Sequence, residues 1–422
     1  MRRIIELFVV MTIVINQIQF LLFSLVSIEY TLEDTSSSLV AWLNVSFAGL
    51  CVGWVCLQEL TKKACKAVQW PFFVILLVIF SFIMESVISE GITMTSVAGR
   101  QFLFFGVHAV PAILLATHIY RHNRFDLIAR NAEIIMIICT LALFLNFPVM
   151  MSETSFQKIG GGGGHQEISY SAAFCFAINF TNILSKNKMY RYKMFLTKTF
   201  RAIYFSLLPL QAIICILGGG RGGGLLLVLS FLCIFFIYSL KNFGKALGWS
   251  ALMIIVFVFI ASYTDIFSDG FGRTFNYLQG GTVDLTIDQS DVERTLLREK
   301  SYVIIGESPI IGHGLWNGLI VAGYYMHNVF LDVLIAGGIL SLLVFFVIMK
   351  KVYKTTYKLL QKDNSKCMFL PYILYPTILL LFSGFYLTNS LFWFCTILAL
   401  LYSKQFGSTE MRHRMMRRTT SA

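Results

Sequence analysis

Runs of about twenty apolar residues recur from one end of this 422-residue chain to the other, and they restrict it to one architecture. That is the length at which an α-helix crosses the hydrocarbon core of a bilayer. Within lipid the backbone must satisfy its own hydrogen bonds, so continuously apolar runs of this length are helices. Twelve of them fall at residues 4–27, 38–58, 70–88, 101–120, 132–150, 168–184, 202–219, 223–240, 248–265, 328–349, 369–387 and 390–403. Composition agrees: 57% of residues are hydrophobic and 13% charged, with mean hydropathy +0.72. The expected fold is all-α, a polytopic integral membrane protein of about 12 transmembrane helices forming one membrane-embedded domain over residues 1–422. Within it, residues 266–327 form one large outer loop with short helices of its own.

The charges orient this array. With the N-terminus inside, the inner segments collect 27 of the 34 Lys and Arg residues, from Arg2 and Arg3 to the cluster Arg412, Arg414, Arg417 and Arg418. Cytoplasmic segments carry such an excess, so both termini are expected in the cytoplasm. The formal charge of +12 is thereby explained by topology and does not indicate a nucleic-acid partner. Seven basic residues fall on the outer side or in the membrane: Arg100, Lys158, Arg221, Arg273, Arg294, Arg298 and Lys300. Topogenesis disfavours them there, so each calls for a function. The nine cysteines show no paired spacing, which argues against a disulfide framework and a zinc site. The first apolar run is long and lacks a small-residue cleavage site, so it is expected to be retained.

Four stretches could carry chemistry. Ser290-Asp291-Val292-Glu293 reads as a capping box opening a helix to about Ile305, which sets Arg294 and Arg298 one turn apart on one face. Two guanidiniums so placed can clamp phosphate oxygens, or they can pair with Asp291, Glu293 and Glu299 on a solvated helix. Gly218 to Gly224, broken only by Arg221, could bring backbone N–H groups and a full charge to an anion, with Gly220 and Gly222 closest to it. The alternative is a tight turn with a snorkelling arginine, but a turn alone does not need six glycines and an arginine. Tyr324-Tyr325-Met326-His327-Asn328 puts a histidine at the mouth of the tenth span, able to take a proton or bind an oxyanion, or simply to pack at the interface. Gly160 to Gly164 followed by His165 reads as a lid or a linker, with Gly163, Gly164 and His165 as candidate substrate contacts. Finally, Pro309 to Gly314 reads as a turn containing His313, which could present Trp316 to a sugar. There is no GxSxG, P-loop, HExxH or Asp-x-Asp motif, so a nucleotide-sugar donor held through a divalent metal is not expected.

On these residues the chain resembles the superfamily of O-antigen ligases and polymerases, bacterial membrane glycosyltransferases. GGGRGGGLLLVL around Arg221, ERTLLREKSYVIIGESPIIGHG from Glu293 to Gly314, and HNVFLDVLIAGGILS from His327 carry the resemblance, with the span count and the loop before the tenth span. It implies an enzyme of the Gram-negative inner membrane with its active site facing the periplasm. The substrate would be a sugar chain on undecaprenyl diphosphate, transferred with inversion, without metal or cofactor. By the same resemblance Arg221, Arg294 and Arg298 would hold the diphosphate and His327 would activate or orient the acceptor hydroxyl. Other implied partners are membrane lipid and the chain-length regulator and flippase of the same pathway. The polyglycine loop and the SPIIGHG turn look more like the polymerases, so the expected function is O-antigen polymerase, with ligase as the alternative. A flippase for a lipid-linked sugar is a more distant reading. It would place its basic residues along a path through the bilayer midplane, whereas here they gather at the outer face.

Overall fold

The structure, a computed structural model, describes residues 2–15, 21, 39–61, 69–150, 165–185, 192–218, 221–239 and 289–404. Every regular element among them is helical. In chain order the helices are α1 Arg2–Met11, α2 Leu39–Thr61, α3 Trp70–Ile88, α4 Val97–Phe104, α5 Val110–His122, α6 Asp126–Met150 and α7 His165–Leu184. They continue with α8 Lys198–Leu217, α9 Arg221–Ser239, α10 Gln289–Glu307, α11 Asn317–Ala322, α12 Val329–Lys362, α13 Phe369–Phe382 and α14 Ser390–Lys404. A π turn over Phe105–Ala109 joins α4 to α5 as one rod. Eleven of the twelve expected runs therefore hold a helix among the described residues, the first of them only in part; the run at 248–265 lies outside those residues.

Six of these helical stretches are long and apolar enough to cross a membrane: Ala41–Thr61, Trp70–Ile88, Val97–His122, Asp126–Leu145, Lys198–Leu217 and Val329–Lys362. Local chemistry sets several of their ends. Ser96 accepts from Gly99 N and Thr197 from Phe200 N, each capping a helix start. Asn123, in the left-handed conformation, closes α5. Phe73, Leu77 and Val87 on α3 and Leu343, Val344 and Val347 on α12 stand exposed, the side chains such helices turn to lipid.

The core forms around α7. Ile168, Ala172, Phe174, Cys175 and Ile178 are all buried, so this helix is enclosed by its neighbours, chiefly α6, α8, α9 and α13. Polar residues in that interior are matched across helices. Asn179 donates to the Tyr204 carbonyl at 2.9 Å and to Gln211 Oε1 at 3.1 Å, and Gln211 donates to Thr140 at 2.8 Å. The Tyr204 hydroxyl donates to Glu133 at 2.5 Å. In a membrane, where apolar burial does little to favour one partner helix over another, such bonds fix which helices meet.

Candidate active site

Its frame is a break in a membrane helix. α12 runs 34 residues, but Gly337 (φ −144, ψ 22) and Gly338 (φ 60, ψ −162) leave helical geometry. A break strands backbone groups that lipid cannot satisfy. The Pro309 to Gly314 turn supplies the partners: His313 N donates to Ile335 O at 2.8 Å and Gly314 N to Ala336 O at 2.9 Å, while Ile339 N donates to Pro309 O at 2.9 Å. A Cβ on Gly338 would run into the backbone of Ile310, and one on Gly312 into the backbone of Gly337 and Gly338. The turn was expected to present an aromatic ring; instead it docks into α12.

A second tie comes from α3. The Glu85 carboxylate accepts from the backbone N–H groups of Leu315 (3.0 Å), Trp316 (2.8 Å) and Asn317 (2.8 Å), and from Ser81 Oγ at 2.7 Å. An acidic residue in an apolar span thus receives the unpaired donors at the start of α11. Trp316 corrects the sequence expectation. It is 0% exposed, wedged edge-on against Phe82 and Phe102, and offers no face to a sugar. His313 also serves the frame, with Nε2 2.8 Å from the carbonyl of Ile304.

The frame carries the histidine loop. His327 sits at φ 55, one of two non-glycine residues with positive φ among those described. Asn328 caps α12, accepting from Phe330 N at 3.0 Å and Leu331 N at 3.3 Å and donating to Leu381 O at 3.3 Å. Asn328, which the sequence offers as a substrate contact beside Tyr324 and Tyr325, thus has its side chain engaged in capping. Asp332, one turn into the helix and 5% exposed, accepts from Met326 N at 2.7 Å, so it holds the residue before His327 in place. Its second oxygen, Oδ2, has no hydrogen-bond partner among the described residues. Asp332 lines a cavity of about 10 Å³ with Leu319, Ala322, Tyr324, Ile335 and Phe385, room for about one water molecule. The sequence reading passed over Asp332 and Glu85; each was visible as a lone carboxylate in an apolar run.

Tyr324 and Tyr325 stack at 4.2 Å, and their rings lie 5.7 and 4.6 Å from that of His327. Tyr325 also stacks on Phe385 at 5.8 Å. Burial pushes the Tyr325 phenol well above its usual range, helped by Tyr324 and by the charges of Asp332 and Glu167. Tyr325 thus stays a neutral hydrogen-bonding group. Glu167 belongs to the first turn of α7, so the charge that follows the polyglycine run is felt at the Tyr325 phenol. Next to it, α9 begins at Arg221 and packs so tightly on α7 that a Cβ on Gly222 would overlap the Tyr170 hydroxyl. Gly222 therefore leaves room for the Tyr170 ring.

α10 covers the arrangement from the other side. Lys300 Nζ donates to Ala322 O at 2.6 Å, and Ile304 packs with Ala322, Met326 and Ile335. The helix starts at Gln289, so Ser290 falls in its first turn rather than at the cap. Positions 294 and 298 are one turn apart, as expected, and Arg298 is exposed. The side chains of Arg221, Arg294 and His165, and all of Gly163, Gly164 and Gly220, lie outside the described residues.

No curated protein and no solved structure matches the chain. Residues 206–346 match a family model described as O-antigen ligase. That span runs from α8 through α12 and takes in Arg221, α10, the docked turn and His327, with Asn328 and Asp332. The match covers about a third of the chain and, with the all-α membrane bundle, is consistent with the superfamily of O-antigen ligases and polymerases, whose members are glycosyltransferase-like membrane enzymes.

Proposed function

We propose that this protein is an O-antigen polymerase, joining oligosaccharide repeat units carried on undecaprenyl diphosphate at the periplasmic face of the inner membrane. The observation that carries this reading is the attachment of the loop to the bundle: α10, the docked turn and the His327 loop are tied to one another and to α3 and α12. In the reaction, an acceptor hydroxyl attacks the anomeric carbon while the bond from that carbon to the diphosphate oxygen breaks, with inversion. The lipid diphosphate leaves with the electron pair, and the hydroxyl proton passes to His327. Arg221, Arg294 and Arg298 stabilise the charge that grows on the leaving diphosphate. Asp332 and the tyrosine pair hold the histidine, in its strained left-handed conformation, against the acceptor.

The description of the matched family favours a second reading, a ligase that moves finished polymer to lipid A-core. Deleting the gene separates them on a lipopolysaccharide gel. The polymerase reading expects core capped with a single repeat unit; bare core with polymer left on the carrier means ligase, and an unchanged ladder removes both. Full activity after Arg221→Ala or Arg294→Ala would remove the diphosphate clamp.

A further inference from the structure

A second cluster of ionisable groups lies at the other end of the bundle. α5 carries His118 and His122 four residues apart, so both imidazoles lie on one face of the helix. Glu59, near the end of α2, reaches between them: its Oε1 stands 2.8 Å from His118 Nδ1 and 3.0 Å from His122 Nε2. Arg121 holds the other carboxylate oxygen at 2.8 Å. The side chains of His118, His122 and Glu59 are 0%, 6% and 23% exposed. The two imidazole rings are 4.6 Å apart, and Trp54 closes edge-on over His118 at 5.0 Å. All three donor atoms lie within 4.8 Å of one another. Glu59 and the start of α3 flank the connection over residues 62–69, whereas Glu85 and the start of α11 that it holds sit towards the far end of α3. At about 1.5 Å per residue, most of a membrane thickness separates the cluster from His327.

Two imidazole nitrogens and one carboxylate oxygen converging from two helices are a His₂Glu ligand set, the set zinc uses with its fourth position left to water. With metal–ligand bonds of about 2.0–2.1 Å, neighbouring ligands of a tetrahedral zinc lie roughly 3.3 Å apart. The two carboxylate–imidazole separations, 2.8 and 3.0 Å, lie a few tenths of an ångström below that, and the two nitrogens lie within 4.8 Å of each other. Arg121 restricts Glu59 to one ligating oxygen and orients it, as outer partners of metal ligands do. Two imidazoles select a transition metal over magnesium or calcium, which take oxygen ligands. The expectation of no zinc site rested on cysteine spacing, and this ligand set holds no cysteine.

We infer that Glu59, His118 and His122 form a binding site for a divalent transition-metal ion of the zinc class, clamping α2 to α5 at the end of the bundle away from the histidine loop. This is independent of the proposed function. The test uses the full chain, purified in detergent, stripped with chelator and freed of any affinity tag. Cobalt(II), titrated as a spectroscopic probe, is expected to give intense visible bands of a four-coordinate site at one ion per chain, displaced by zinc. His122→Ala and Glu59→Ala are expected to weaken binding by more than the roughly 10–100-fold that loss of an outer partner costs, while His327→Ala leaves it unchanged. Size-exclusion elution confirms that each variant is folded, and His122→Gln serves where His122→Ala is not. The inference is overturned if no saturable one-to-one binding appears, or if folded variants at position 59 or 122 bind like the parent.

Discussion

The N–H of Ile339 donates to the carbonyl of Pro309 at 2.9 Å, so a loop residue completes the hydrogen bonding of a membrane helix where that helix breaks. The exchange is reciprocal, since carbonyls at 335 and 336 accept from His313 and Gly314. It couples two segments that are distant in pattern, a polar turn and an apolar span, and places the histidine loop at a fixed height on α12.

Gly338 is the sensitive point of that joint. Its φ of 60 disfavours any side chain, and a Cβ there overlaps the backbone of Ile310. Gly338→Ala is expected to destabilise the protein by on the order of 2–4 kcal/mol, combining left-handed strain of about 1–2 kcal/mol with the clash. Gly306→Ala on α10, where a Cβ meets nothing within 4 Å, is the control and should be neutral or slightly stabilising. Thermal unfolding of both variants in detergent checks the pair.

Glu85→Ala leaves three backbone N–H groups without their acceptor, at about 1–3 kcal/mol for each donor that stays buried. Amide hydrogen exchange at residues 315–317 should speed up, while the helices around α7 keep their protection. Glu85→Gln keeps an acceptor oxygen and is expected to fall between.

His327→Ala should lower repeat-unit transfer by about 10²–10⁴-fold, the range for a positioned general base. Asp332 is expected to behave differently. Asp332→Asn keeps an acceptor for Met326 N and should retain most activity, whereas Asp332→Ala frees the loop and should lose about as much as His327→Ala. Turnover in membranes, with protein levels matched, distinguishes the two.

At the end of α12, burial would raise the Asp363 carboxyl, but hydrogen bonds from the Ser365 side chain and backbone and the charge of Lys366 outweigh it and hold it below its ordinary value. A carboxyl depressed on folding stabilises the folded state above its unfolded value, near 3.8, and that contribution is lost as pH falls through the folded value. Unfolding temperature should therefore drop on acidification below about pH 4 by more in the parent than in Asp363→Asn.

The helices were legible because hydropathy reads them directly; most of the described ones start within a few residues of the expected runs, although α12 continues to Lys362, well past the expected end at residue 349. The break in α12 was not, since Ala336-Gly337-Gly338-Ile339 is as apolar as its surroundings and only docking of the loop stabilises it. Trp316 was misread for the same reason: a turn beside a tryptophan looks exposed until α3 supplies Phe82 and Glu85. That Gly222 leaves room for Tyr170 was not legible, because a sequence does not show which helices meet. His327 with its two tyrosines was legible, as a polar cluster at the mouth of an apolar run.

The most direct test reconstitutes the purified chain in liposomes with one substrate, a repeat unit linked to undecaprenyl diphosphate, without lipid A-core. The account predicts a ladder of lengthened lipid-linked oligosaccharides that disappears in His327→Ala. Absence of any ladder until lipid A-core is added, or an equal ladder from His327→Ala, would contradict it.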